Sequence, residues 1–448
     1  MPVPSDETIE SIRAAIDRGA FAEAIALIEK LRVPDQAEVF TGLEPEDQAA
    51  LLPRLDPDAS ADILEELEDE DAAGVAEHLD PETLSRIVDE MEPDEAADLL
   101  GDLSKEQADQ VLARLEDPEE VRPLLLHPDE TAGGRMTSDL FALRRRMTVQ
   151  EAIQALRDLE PSEEVTYYLF VVDRDNILRG VISLRRLLTA DPQATLESIM
   201  DTDVISATAG MDQEEAAHLM SRYSLPALPI VDEAGHLLGM ITHDDLVDVI
   251  EEEASEDIYR LGGVLDEERA SGPIGTSVRR RLPWLYINLL TAFLAAWVIS
   301  LFQGTIERVA ILAAFQSIVA GQGGNAGTQA LTVMVRSIAI GDVELRNVWR
   351  TLLKELLVGL INGVAVGVVV GVVGAIVVNK PALGLIVGAA MIGNMLAAGL
   401  AGALVPMILR RLKIDPALAS GVIVTTVTDV VGFGLFLGLA TLFITWLV

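Results

Sequence analysis

One carboxylate of this chain sits where carboxylates are expensive. Residues Ala417 to Val448 are almost entirely apolar and carry a single acid, Asp429, in TTVTDVVGFG. At about 1.5 Å per residue the stretch is long enough to cross a bilayer. An Asp at mid-membrane depth costs roughly 2.5–3.5 kcal/mol on insertion scales, and no Lys or Arg follows it to neutralise it within its own segment. Such a residue faces a water-filled path or a bound cation; the competing reading is a protonated Asp hydrogen-bonded inside a helix bundle. Thr425, Thr426 and Thr428 before it, and Gly432 and Gly434 after it, suit a wet, closely packed path.

A second polar cluster interrupts another apolar stretch, AGQGGNAGTQALTVMVR, where Gly321, Gly323, Gly324 and Gly327 surround Asn325, Thr328 and Gln329. In a membrane span such groups are costly unless they face water or an ion. A close helix crossing of the small-xxx-small kind also accounts for the glycines, and the two readings are compatible. Gly359, Gly363, Gly367, Gly371 and Gly374 in a third stretch, at four- and three-residue spacing, point to helix packing alone.

The remaining chemistry is acidic. The 448 residues hold 72 Asp and Glu against 33 Lys and Arg, a net charge of −39. Residues 1–272 carry 66 acids and 21 bases, net −45, whereas residues 273–448 carry 6 and 12, net +6. A nucleic-acid binder would be basic; this distribution suits a surface that collects cations. There is no cysteine, so disulfides, zinc–thiolate sites and Cys nucleophiles are excluded. Oxygen-only ligands suit Mg²⁺ better than a soft metal. No Gly-x-x-x-x-Gly-Lys-Ser/Thr loop, His-x-x-x-His pair or Gly-x-Ser-x-Gly elbow occurs, and the sequence does not advertise an enzyme.

The elements that must position these groups follow in order. The N-terminus is acidic and amphipathic and lacks the basic and apolar regions of a signal peptide, so the soluble part is expected in the cytosol. Residues 5–31 read as one or two amphipathic helices. Leu43, Leu55, Leu67, Leu79, Met91, Leu103 and Leu115 then recur every 12 residues. Each unit reads as a short helix and a turn that must share a core with its neighbours. Asp56-Pro57 and Asp80-Pro81 set a capping carboxylate before a helix-starting proline.

From Met136 the periodicity alternates between helix and strand, and nearly the same order recurs after Met200. Two copies of a strand–helix–strand–turn–strand–helix unit are implied. ALPIVDEAGHLLGMITHDDL resembles the second half of a CBS domain, and residues 137–253 resemble a CBS pair. Some CBS pairs bind adenine nucleotides through a Ser/Thr-x-x-Asp element. Thr242 to Asp245 fits it; the first copy, Ser183-Leu184-Arg185-Arg186, lacks the Asp. A heavily acidic helix, VDVIEEEASEDIYRLGGV, leads toward five apolar segments at about 284–303, 308–337, 353–378, 383–409 and 418–447. Arg279–Arg281, Arg346 and Arg350, and Arg410 and Arg411 all flank one side of these segments. By the positive-inside rule the N-terminal part is cytoplasmic and the C-terminus lies outside.

The whole layout, with GGNAGTQALTVMVR, DPALAS and TTVTDVVGF as its most specific segments, resembles the MgtE family of magnesium channels. The resemblance implies a multidomain fold. An all-α helical-repeat N domain at 1–135 precedes an α/β tandem CBS pair at 136–253. A linking plug helix at 244–272 and a five-helix transmembrane domain at 273–448 complete it. It implies a homodimer in a bacterial inner membrane, taking up Mg²⁺ down the membrane potential and closing when Mg²⁺ binds its acidic cytosolic domains. Asp429 would hold hydrated Mg²⁺ in a pore lined by Gly324, Asn325, Thr328, Thr425 and Gly432. Regulatory Mg²⁺ would be held by Asp94, Asp98, Asp212, Glu214, Asp245, Asp248, Glu253, Glu256, Asp257 and Asp415. Ser224 departs from the pattern where a further acid is expected. ATP at the CBS pair would involve Tyr168, Thr242 and Asp245. The runner-up is a Mg²⁺ or Co²⁺ exchanger or exporter coupled to Na⁺ or H⁺, with Asp429 as carrier.

Overall fold

The computed structural model describes residues 6–159, 168–264, 274–340, 348–418 and 420–447. It divides into two compact units, Met1–Ile250 and Glu251–Val448.

In the first unit the 12-residue period becomes six helices of seven to ten residues, starting at Pro45, Pro57, Asp69, Pro81, Pro93 and Lys105. Helices this short are not stable alone. Each packs on the next but one, and all seven periodic apolar residues from Leu43 to Leu115 are buried in one continuous core. The expected cap forms at Asp80, whose side chain accepts from the Glu82 and Thr83 amides. It does not form at Asp56, where the side chain makes no cap bond. The Thr83 hydroxyl, donating to Asp80 Oδ2 at 2.7 Å, secures the first carboxylate; the corresponding residue after Asp56 is Ala59.

Two three-stranded sheets follow with identical topology. In one, β1 (Ala142–Arg144) runs parallel to β2 (Tyr168–Val172), which pairs antiparallel with β3 (Leu178–Ser183). In the other, β4 (Ala207–Thr208), β5 (Ala227–Val231) and β6 (Leu237–Thr242) repeat the order. The two hairpin turns are tied together: the Leu178 amide donates to the Gly235 carbonyl and the Leu237 amide to the Asn176 carbonyl, each at 3.0 Å.

Among the described residues, six helices of 20 residues or more make up most of the rest. The first, α1 (His243–Gly262), begins in the first unit and ends in the second. It stops short of the expected residue 272. Gly263 adopts φ 78°, its amide bonds the Arg260 carbonyl, and the Val264 amide bonds the Tyr259 carbonyl. This is a Schellman stop, which needs a left-handed residue that glycine supplies without strain. Residues 265–273 of the expected linker lie outside the described residues.

The second unit also contains α2 (Ile274–Ser300), α3 (Leu312–Ala339), α4 (Val348–Val378), α5 (Pro381–Arg411) and α6 (Ser420–Leu442). Among the described residues four of these are long and apolar enough to cross a membrane: α2, α4, α5 and α6. The fifth expected span, α3, has 28 residues, but the GQGGNAGTQ stretch makes it too polar to meet that description. Helix α5 packs against α3, α4 and α6. The α4 glycines let two backbones meet: a Cβ on Gly359 would stand 2.7 Å from the Met395 carbonyl oxygen, and one on Gly371 2.7 Å from that of Gly384.

Candidate functional site

Three acidic sites emerge, two in the second unit and one in the first. In the membrane helices, α3 and α6 pack side by side. Gly323, Gly327, Ala330 and Met334 form the buried face of α3. Gln322, Asn325, Thr328, Gln329 and Thr332 form an exposed polar face, and Gly324 is half-buried beside it. On α6, Thr425 is exposed and Asp429 half-buried. The Thr425 and Thr426 hydroxyls donate to the Gly421 and Val422 carbonyls at 2.8 and 2.6 Å. Among the described residues the Asp429 carboxylate has no hydrogen-bond or ion-pair partner. Gly432, expected along the path, is buried instead against the Asn394 side chain of α5.

The second site lies at the end of α1. Arg260 Nη1 meets Asp415 Oδ2 at 2.6 Å and also pairs with Glu256. Asp415 Oδ1 accepts from the Ala417 amide at 2.8 Å. Burial pushes the Asp257 carboxyl up to about 6, with repulsion from Asp415 and Glu253 adding to it and Arg336 opposing. Two acids expected to hold metal, Glu256 and Asp415, are thus joined by an arginine. Sequence reading did not single out Arg260; its place four residues after Glu256 was the available signal.

The third site lies on the helix Pro93–Asp102. Asp94 is 6% exposed, and its Oδ1 has no hydrogen-bond partner among the described residues. Burial, with Asp245 and Glu65 adding, raises its carboxyl to about 7 against a stabilising bond from Thr137. Burial and repulsion from Asp94, Asp98, Glu65 and Asp69 raise Glu95 to about 9. Asp98 is raised by burial to about 8, although Arg135 stands 3.9 Å away. Burial raises Asp245 as well, opposed by bonds from Thr242. Asp248 adds its repulsion to the raised carboxyl of Glu66. Glu95 was missed from sequence; the Asp94-Glu95-x-x-Asp98 spacing, which crowds three acids onto one turn, could have revealed it.

The other expected residues lie elsewhere. Asp212 caps the helix Gln213–Tyr223, accepting from the Glu214 amide at 3.0 Å. Ser224 ends that helix at φ 51°. The Thr242 amide and hydroxyl donate to Asp245 Oδ2 at 2.9 and 2.7 Å, so the Ser/Thr-x-x-Asp element is closed on itself. Tyr168 begins β2. Among the described residues, no three Asp, Glu or His gather at metal-ligand spacing.

These sites can be set against known proteins. The MgtE intracellular N domain model matches residues 31–130, the CBS domain model residues 132–192 and 196–252, and the divalent cation transporter model of MgtE residues 316–439. The magnesium transporter MgtE of Thermus thermophilus is 37% identical over 332 residues, 72% of each chain. The chain belongs to the MgtE family. The MgtE of Enterococcus faecalis is 36% identical over 74% of this chain and 73% of its own. A crystal structure of the cytosolic domain of the Mg²⁺ channel MgtE in complex with ATP matches 54% of this chain and 99% of its own, at 34% identity and a TM-score of 0.50. MgtE proteins are transporters rather than enzymes, and this member, with its four long apolar helices, is an integral membrane protein.

Proposed function

We propose that this MgtE protein is a homodimeric Mg²⁺ channel for passive uptake, closed by Mg²⁺ on its acidic soluble domains. One observation carries the reading: a single chain leaves the polar face of α3 exposed beside Thr425 and Asp429 of α6, the latter without a partner among the described residues. In hydrocarbon these groups would lack hydrogen-bond partners at several kcal/mol each. A second copy facing them would enclose a wet path, with α3 as the fifth span and Asp429 opposite its equivalent. Hydrated Mg²⁺ fits such a site because it dehydrates reluctantly and binds through one or two carboxylates. A potential of 100 mV, negative inside, supplies about 2.3 kcal/mol per charge, so roughly twice that for a divalent ion.

Uncontrolled entry follows unless the channel senses its product. Asp94, Glu95 and Asp98 are held together at electrostatic cost, and a divalent cation would relieve it. The acids of α1 and Asp415 would respond in the same way, stabilising a closed state through a helix covalently joined to both units. In this reading the soluble domains lie in the cytosol of a bacterium, the C-terminus lies outside, and ATP binds the CBS pair, the related cytosolic domain being one in complex with ATP.

The test is electrical. Full-length protein in a planar bilayer should give unitary Mg²⁺ currents that vanish when Mg²⁺ on the soluble-domain side rises to millimolar levels. Flux without resolvable openings, dependent on a Na⁺ or H⁺ gradient, would establish an exchanger instead.

A further inference from the structure

Asn394 is fully buried near the middle of α5, about 20 Å from the helix start at 1.5 Å per residue. Its Nδ2 donates to the Val319 carbonyl of α3 at 2.9 Å. Its Oδ1 has no hydrogen-bond partner among the described residues. The amide reaches that place only because two glycines make room. A Cβ on Gly323 of α3 would stand 2.1 Å from Nδ2, and one on Gly432 of α6 would stand 2.7 Å from it. In both cases the three nearest atoms are all from the Asn394 amide. The side chain is therefore wedged between the two helices that carry the polar face and Asp429.

Packing alone does not account for an amide here. A buried carbonyl oxygen left unpaired keeps its full desolvation cost, and an aliphatic side chain would fill comparable space without that cost. Placement does account for it. Gly323 lies two residues before Asn325, and Gly432 lies one turn after Asp429. One group thus sets the spacing between α3 and α6 at the level where their polar residues face the path.

We propose that Asn394 is a positioning residue for cation selection: by clasping Gly323 and Gly432 it fixes the distance between Asn325 and Asp429. The inference rests on the channel reading. Pore selectivity depends on the size of the space and on the groups lining it, so a shift of either helix should change which ion passes more than it changes how much protein folds.

The test is a double-mutant cycle in the full-length protein, read in two ways. In the first, thermal unfolding in detergent reports the clasp without any transport. Gly323→Ala overpacks the site and should lower Tm by about 5 °C, and the same change in an Asn394→Ala background should cost almost nothing, because the Cβ then enters the vacated space. Gly432→Ala provides a second cycle with the same expectation. Equal losses in both backgrounds would overturn the clasp, whether or not the protein carries Mg²⁺.

The second readout is the Mg²⁺-to-Ca²⁺ permeability ratio in proteoliposomes, which is independent of the amount of folded protein. Asn394→Ala should lower it about tenfold, matching a change of roughly 1.4 kcal/mol in the relative barriers. An unchanged ratio in a variant that still conducts would overturn the positioning role. A wild-type protein without Mg²⁺ flux would overturn the channel reading, and the positioning role with it, leaving the clasp to the thermal cycle.

Discussion

The acids of the two units are arranged in opposite ways. On the helix Pro93–Asp102, three carboxyls crowd one turn and are driven up toward 7, 9 and 8 by burial and by one another. On α6, Asp429 stands alone in an apolar segment with no partner among the described residues. Crowding stores repulsion that a divalent cation would release, which in the proposed reading suits a reporter of concentration. In the channel reading, isolation would keep one charge available to each passing ion and avoid the deep binding that would hold it. In the proposed reading the same residue type would serve two ends according to whether it has neighbours.

The comparison breaks most visibly at Asp429. Asp429→Asn keeps the shape and removes the charge. An exposed or half-buried carboxylate near a cation is worth about 3–4 kcal/mol at an effective dielectric of about 20, so Mg²⁺ uptake by proteoliposomes should fall by about a hundredfold or more. The thermal unfolding of the soluble unit should not move. Normal uptake in this variant would remove Asp429 from the path.

The next effect is a pH dependence confined to the crowded acids. Their carboxyls bind protons more tightly in the folded chain than in the unfolded one. The penalty is therefore absent below about pH 4, where both states are protonated, and it grows until pH passes the folded values of about 7 to 9. Each such proton tilts stability downward by about 1.4 kcal/mol per pH unit across that window. Metal-free soluble unit should melt at progressively lower temperature from pH 5 to pH 8, and saturating Mg²⁺ should flatten the slope. A slope of the opposite sign would show that these acids are stabilised by partners rather than strained by one another.

A smaller effect isolates Glu95, the most strongly raised of the three. Glu95→Gln removes the proton that folding must bind at pH 8, where the folded carboxyl at about 9 is still largely protonated and the unfolded one is not, and should stabilise the metal-free soluble unit there by at least about 1–2 kcal/mol. It should also weaken the protection that Mg²⁺ gives against protease. Loss of stability on this substitution would mean that Glu95 is already paired.

How far these sites could be read in advance depends on how local their causes are. The helical repeat was legible because each unit repeats the same short-range pattern, and six helices begin 12 residues apart where Leu43 to Leu115 place them. Asp429 was legible because a single charge in an apolar run needs no fold to stand out. The cap at Asp56 was misread because its outcome turned on a side chain three residues on, Ala59 in one unit and Thr83 in another. Helix α3 meets the length of a span but not its apolarity, since the residues that lower its hydropathy form its exposed polar face. Asn394 was not singled out from the sequence, because its meaning lies with a carbonyl 75 residues away in the chain and with two glycines on other helices. Local pattern gives the elements; sites assembled across elements need the fold.

The end of α1 falls between the two arrangements, and it provides the finest test. There Asp257, Glu256, Glu253 and Asp415 are crowded like the soluble acids, but Arg260 already supplies a cation to two of them. A guanidinium holds carboxylates through paired, directed bonds, and Mg²⁺ arriving at Glu256 or Asp415 must displace it. Arg260→Gln removes the competitor and returns the site to uncompensated repulsion. In metal-free protein this should cost about 1–3 kcal/mol at the α1 terminus, read as faster amide exchange over residues 253–262. With Mg²⁺ present the exchange should slow again, and the Mg²⁺ concentration that half-closes the channel should fall severalfold, because the ion no longer competes with a fixed charge. An unchanged or higher half-closing concentration would mean that Arg260 supports the acids' geometry for the metal rather than standing in for it.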